Sequence, residues 1–206
     1  MLLSYLILGH LLGDFIFQPT RLVMWKRESK WGVFVHVLVH FIINLVILAP
    51  FIYQGYYSLL IIPFFLSFCH FFIDQTKINY DLRHDDKVRP FVFDQILHLF
   101  TIFIVYIFFS HLQIEVPAHV FYEYYTNIHI INFLSFLVFA STAIEAYRYQ
   151  IERERNKNAQ YKLHLRQMAE RISVFTVLYI ILMILAYTAS SKDGFLSVLV
   201  SAISSR

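Results

Sequence analysis

Four hydrophobic segments in the first hundred residues each carry two metal-ligand-type side chains four positions apart. They are His10 and Asp14, His36 and His40, His70 and Asp74, and Asp94 and His98. That spacing puts both members on one face of a helix, with Cβ atoms about 5–6 Å apart. An ionisable side chain inside an apolar segment is costly unless it turns toward a partner. The chain must therefore pack these segments as helices with their polar faces turned inward.

Composition sets the solvent for that packing. The chain has 206 residues, 58% of them hydrophobic and only 15% charged, with 22 Phe. The mean hydropathy is +0.58. A soluble domain could not bury so much apolar surface, so the class is integral membrane. Long apolar runs with few Gly and Pro indicate helices rather than alternating barrel strands. The expectation is an all-α, integral membrane helical bundle of about six transmembrane helices. Cys69 is the single cysteine, so no internal disulfide forms. No cleavable signal peptide is expected, because a basic n-region is missing and Asp14 interrupts the first apolar run.

The segments are expected at residues 2–17, 33–53, 57–78, 91–110, 127–147 and 172–189. Segment one is short for a span, and Pro19 ends it. Its Gly9 and Gly13 form a small-xxx-small pair that admits a close helix neighbour. The connection that follows mixes Leu22, Val23, Met24, Trp25 and Trp31 with Arg21, Lys26, Arg27 and Lys30, which reads as an interfacial segment. The pairs extend into stripes with Asn44 on segment two, Ser67 and Lys77 on segment three, and Thr101 on segment four. Segment five runs into a polar stretch, residues 148–171, with no Pro or Gly break. It reads as a helix leaving the membrane and returning, or as a helical hairpin. Residues 1–110 are expected to form a four-helix core carrying the site. Residues 111–206 would add two further membrane helices joined by the basic segment.

Basic residues orient the chain. Arg21, Lys26, Arg27 and Lys30 lie between segments one and two, and Arg83, Lys87 and Arg89 between three and four. Arg148, Arg153, Arg155, Lys157, Lys162, Arg166 and Arg171 lie between five and six. The 2–3 and 4–5 connections have none. The positive-inside rule then predicts a multi-pass plasma-membrane protein with those three loops in the cytoplasm and both termini outside. All four pairs fall in one slab near the cytoplasmic face. Polar residues placed without a common purpose would scatter in depth.

The chemistry follows from the donor set. Five imidazoles and three carboxylates suit Zn, Mn or Fe, and the lack of thiolate excludes a Cys-type structural zinc site. The metal-ligand candidates are His10, Asp14, His36, His40, His70, Asp74, Asp94 and His98. Eight exceed the needs of one tetrahedral ion, so one or two divalent ions are expected, with some residues acting as orienting partners. Asp14, Asp74 and Asp94 are the catalytic candidates, any of which could serve as general base. Lys77, Gln18, Gln95 and Lys26 are candidate substrate-binding residues, with Arg21, Arg89 and Gln75 at the rim. His84, His111, His119, His129 and His164 lie in or near loops and lack the paired spacing. For any one pair alone, the plainer reading is a packed histidine or a local ion pair; four pairs at one depth favour a site.

The strings LGDFIFQP, HFFIDQTK and FDQILH, with Lys26, His36 and His40 between them, resemble a prokaryotic family of small polytopic membrane proteins known only as a domain of unknown function. The resemblance covers about residues 1–110 and implies a membrane core without supplying a reaction. A looser likeness, in style more than in motif, is to membrane-bound metal-dependent hydrolases. The leading expectation is a metal-dependent hydrolase acting on a phosphate-containing or lipid-linked substrate at the cytoplasmic leaflet. Alternatives are a metal-ion or proton transporter, a haem-binding electron carrier using two facing histidines, and a membrane anchor for a soluble partner. A transporter would need polar residues at several depths, and haem leaves three aspartates unexplained. The partners expected are the lipid bilayer, a lipid or phosphorylated substrate, and a second copy or soluble partner through 148–171. Nucleic acid is not expected, because Glu152, Glu154 and Glu170 interrupt the basic run and no reader motif appears.

Overall fold

The computed structural model describes residues 1–156 and 158–204, and side chains to residue 186 together with Thr188. Lys157 and Arg206 lie outside the described residues. Among the described residues eight helices form and no strand. They are α1 (Leu2–Ile16), α2 (Thr20–Glu28), α3 (Lys30–Tyr53), α4 (Tyr57–Arg83), α5 (Val88–Phe109), α6 (Val120–Tyr125), α7 (Ile128–Arg155) and α8 (Leu165–Ser204). Five are long and apolar enough to cross a membrane: α3, α4, α5, α7 and the Leu165–Ala186 part of α8.

The first segment departs from a plain span. At about 1.5 Å per residue, α1 is shorter than the ~30 Å hydrocarbon core. Its last turn, Leu12–Ile16, widens into a π turn, closed by Phe17 N donating to Leu12 O. Pro19 then takes an extended backbone, and α2 leaves at 87° to α1. The expected interfacial connection is thus a short helix folded back onto α3. Ser29 Oγ accepts from Trp31 N at 3.2 Å and starts α3.

The helices α1, α3, α4 and α5 form a four-sided bundle. α3 and α5 each touch both α1 and α4. Gly9 and Gly13 set the α1–α3 distance. A Cβ on Gly9 would lie 2.8 Å from Asn44 Oδ1, and one on Gly13 would overlap the His40 imidazole. The small residues thus make room for polar side chains rather than for a bare backbone.

The two ends of the bundle differ. Away from the basic loops, Tyr5, Leu6, Leu48, Phe51, Leu59 and Ile62 are almost completely buried and form an apolar plug. The stretch after α5 closes over it. Tyr122 OH donates to Pro50 O at 3.1 Å, Tyr125 OH donates to Ile47 O, and Tyr56 OH accepts from Glu115 N at 2.7 Å. The first part of α7 also packs on α1, so the apolar end of the core draws on residues beyond 110.

The basic stretch resolves as a hairpin. α7 ends at Arg155, residues 159–164 are non-helical, and α8 begins at Leu165. Several of its charges turn inward. Glu145 is buried and contacts Arg171 Nη2 at 2.5 Å and His164 Nδ1 at 2.7 Å. Arg171 Nε also donates to Ala140 O, 3.0 Å away, beside a second π turn at Phe139–Ala143. Arg153 lies 3.9 Å from the buried Asp81, and Glu154 Oε2 accepts from the amides of Lys87 and Val88, which begin α5. Burial holds the Lys87 ammonium below its ordinary range, against the opposing pull of Asp81.

Gly13→Ala should lower stability more than Gly9→Ala. The first forces a methyl into an imidazole boxed in by other rings, an overpacking cost of about 1–3 kcal/mol. The second meets only the end of one amide. Melting temperatures of the two variants in the same detergent check this order.

Candidate functional site

The eight paired side chains converge in one buried cluster between α1, α3, α4 and α5. Asp14 is the most open of them, with 8% of its side chain exposed. The i,i+4 spacing stacks them in two tiers. The upper tier, nearer the apolar plug, takes one histidine from each helix: His10, His40, His70 and His98. The lower tier, nearer the basic loops, holds Asp14, His36, Asp74 and Asp94. Every helix supplies one residue to each tier.

The upper rings touch each other. His40 and His70 have centroids 3.9 Å apart, His70 and His98 stack at 4.0 Å, and His10 lies 5.0 Å from His98. Between tiers, His36 Nε2 is 3.1 Å from His70 Nε2. Asp14 Oδ1 lies 3.0 Å from His40 Nε2, 3.2 Å from His36 Nε2 and 3.6 Å from His70 Nε2. The π turn that carries Asp14 delivers its carboxylate to this meeting point.

Amides and ammoniums hold one oxygen of each lower-tier carboxylate. Gln95 Nε2 donates to Asp14 Oδ2 at 2.9 Å and to Asp94 Oδ2 at 3.2 Å. Lys26 Nζ, carried in by α2, is 2.5 Å from Asp74 Oδ2, and Lys77 Nζ is 3.4 Å from Asp94 Oδ2. Gln18 Nε2 reaches the His36 ring at 3.1 Å. The four side chains expected to bind substrate, Lys77, Gln18, Gln95 and Lys26, therefore all border the cluster. Each is engaged with at least one of its imidazoles or carboxylates.

Other expectations move away from the site. Gln75 turns to Asn79. Arg21 is exposed, and Arg89 pairs loosely with Asp86 in solvent. Cys69 is half-buried, next in sequence to His70 but outside the cluster. His84 stacks on Tyr80 at the surface, and His111, His119 and His129 are exposed. Sequence reading missed Glu145, Asp81 and Arg153 as buried charges. Each is a charge among other charged residues on or near a helical face, which resembles an ordinary solvated face until tertiary packing buries it.

The donor set fits a divalent cation. Ligand atoms lie within 4.8 Å of one another in three overlapping groups: His10–Asp14–His40–His70, His36–His70–Asp74, and Asp14–Asp94–His98. His70 and Asp14 each belong to two of them. Asp94 Oδ1 and His98 Nε2 are buried without a hydrogen bond, 3.5 Å apart. Ring nitrogens facing ring nitrogens and unpaired carboxylate oxygens offer lone pairs in excess of protons, which a cation satisfies.

Removing the cation that holds Asp74 tests the electrostatics. Lys26→Met should cost about 3–5 kcal/mol, the usual penalty for leaving one buried charge without its partner. Lys26→Met combined with Asp74→Asn should recover part of it. Detergent-phase unfolding of the single and double variants gives the comparison.

No curated protein and no solved structure matches the chain. The family model described as "Protein of unknown function (DUF3307)" matches residues 2–128, which include all four paired segments, α6 and the aromatic closure. The match spans well over half of the 206 residues, and the chain belongs to that family.

Proposed function

We propose that this protein is a membrane-embedded, metal-dependent hydrolase of phosphate-containing or lipid-linked substrates. The observation that carries the reading is the convergence of eight imidazole and carboxylate side chains from four helices, in an environment where uncompensated polar groups are costly. His10, His40, His70 and Asp14 form the most complete ligand group, three nitrogens and one oxygen. His36 with Asp74, or His98 with Asp94, would hold a second ion. A bound divalent metal supplies Lewis acidity and lowers the pKa of water.

The protein's own groups supply the rest. With neutral imidazoles, three carboxylates against the two ammoniums of Lys26 and Lys77 leave the cluster slightly negative. A divalent cation reverses that sign and makes the site attractive to an anion. Lys26 and Lys77 would then shift part of their contact to a phosphate oxygen, while Gln18 and Gln95 orient it. Asp94 suits the general base, because its Oδ1 is the carboxylate oxygen beside His98 that lacks a hydrogen bond. Asp14, shared among three histidines, and Asp74, held by Lys26, suit ligand roles.

We place the basic loops in the cytoplasm of a plasma-membrane protein, by the positive-inside rule. That orientation opens the lower tier toward the cytoplasmic leaflet. Cysteines introduced at Arg83 and Lys162 in a Cys69→Ser background should resist a membrane-impermeant maleimide in intact cells and react after lysis. Reaction in intact cells would reverse the orientation.

Elemental analysis of the purified protein tests the metal. The wild type should carry one or two equivalents of zinc, manganese or iron, and His70→Ala should lose most of it. Phosphate release from phosphatidic acid in mixed micelles, supported by the wild type and lost in His70→Ala and Asp94→Asn, would join the metal to hydrolysis. Carefully purified wild type without metal would overturn the reading.

A further inference from the structure

Three donor atoms of the cluster face one another at the spacing of a metal shell. His36 Nε2 is 3.1 Å from His70 Nε2, and Asp74 Oδ2 is 3.5 Å from the first and 3.6 Å from the second. A tetrahedral ion bound at ~2.0–2.2 Å separates its ligands by roughly 3.3–3.6 Å. The triangle therefore has the dimensions of one face of such a shell, and all three residues are buried.

Two of its corners are already covered, and both covers come from the connection between α1 and α3. Lys26 Nζ lies 2.5 Å from Asp74 Oδ2. That oxygen accepts no hydrogen bond, so the ammonium rests against it as a charge, as a metal ion would. Gln18 Nε2 lies 3.1 Å from each ring nitrogen of His36. Gly32, in the first turn of α3, seats the backbone that carries Lys26, because a Cβ there would overlap Trp25 and Lys26 main-chain atoms. Leu22 is buried on the same short helix, while Met24, Trp25 and Arg27 stay exposed. Thus α2 closes onto α3 through its backbone and reaches the triangle with one charge. A divalent ion on Asp74 Oδ2 would meet the repulsion of that ammonium at short range in a weakly screened interior.

We propose that the triangle is a second divalent-metal position, which Lys26 keeps closed until a phosphate anion draws its ammonium away; this rests on the metallohydrolase reading. The resting protein then holds one ion, on His10, Asp14, His40 and His70. When phosphate pairs with Lys26, Asp74 Oδ2 is released, and the second ion takes it together with His36 and His70. His70 Nε2 serves one ion at a time, and His10, Asp14 and His40 still give the first ion the three protein ligands of a catalytic site. Phosphate and the second ion therefore bind with positive coupling, and by linkage each tightens the other by the same factor. Assembly of the two-metal site is tied in this way to the arrival of an anionic substrate group.

The test titrates full-length protein in detergent with Mn²⁺, with and without inorganic phosphate, and counts free ion by electron paramagnetic resonance. His36→Ala removes one corner and is the blank for ions held elsewhere, including Mn²⁺ carried by phosphate itself. In wild type the His36-dependent ion should bind at least about tenfold more tightly when phosphate is present, a factor ordinary for coupled sites. In Lys26→Met it should bind tightly without phosphate, and phosphate should no longer change its affinity. A His36-dependent ion that is absent from wild type, or equally tight with and without phosphate, overturns the proposal and leaves the first metal site standing. Folded Lys26→Met without that ion does the same. If Lys26→Met does not fold, the wild-type comparison decides alone. No Mn²⁺ bound to wild type under either condition overturns the proposal and the metallohydrolase reading together.

Discussion

Burying three carboxylates and five imidazoles between apolar helices is the constraint that the rest of the structure accommodates. Each carboxylate in a low-dielectric interior would cost several kcal/mol without a partner. The bundle responds with Lys26 on Asp74, Lys77 on Asp94, and Gln95 on Asp14. Lys26 explains the first connection. It comes from outside the four-helix core, and only a helix bent by 87° and folded onto α3 brings its ammonium to Asp74. What resembled an interfacial anchor is also an electrostatic part of the site.

Helix geometry converts sequence spacing into layers. The i,i+4 repeat stacks two tiers, and the same register adds Asn44 above and Lys77 below. Glycine is used where those layers need room. Gly13 admits the His40 ring, and Gly9 admits the Asn44 amide. The small-xxx-small pattern therefore serves the polar interior more than helix association as such. Two π turns widen the helices. One carries Asp14, and the other lies beside the Arg171 and Glu145 contact. Such widenings are common at functional positions in helices.

The segment beyond the family domain plays a different part. The end of α7 reaches the start of α5 through Glu154 and approaches Asp81 through Arg153. The hairpin is closed by Glu145, His164 and Arg171. These contacts fasten α7 and α8 to the core at its basic end. From sequence this stretch reads only as a polar helix or hairpin, and several of its charges point inward.

Much of the architecture and all eight cluster residues were legible in the chain itself. Hydrophobic length alone identified helices, and the spacing of His and Asp identified which faces must turn inward, because polar groups buried among apolar helices have few acceptable destinations. The tertiary structure decided the rest. It showed that the first segment ends in a π turn and a sharp bend, that Lys26 reaches Asp74, and that the buried Asn44 leaves its Oδ1 without a hydrogen bond. Those features depend on distances between helices far apart in sequence. Periodicity specifies the face a residue occupies, but only packing specifies what stands opposite it.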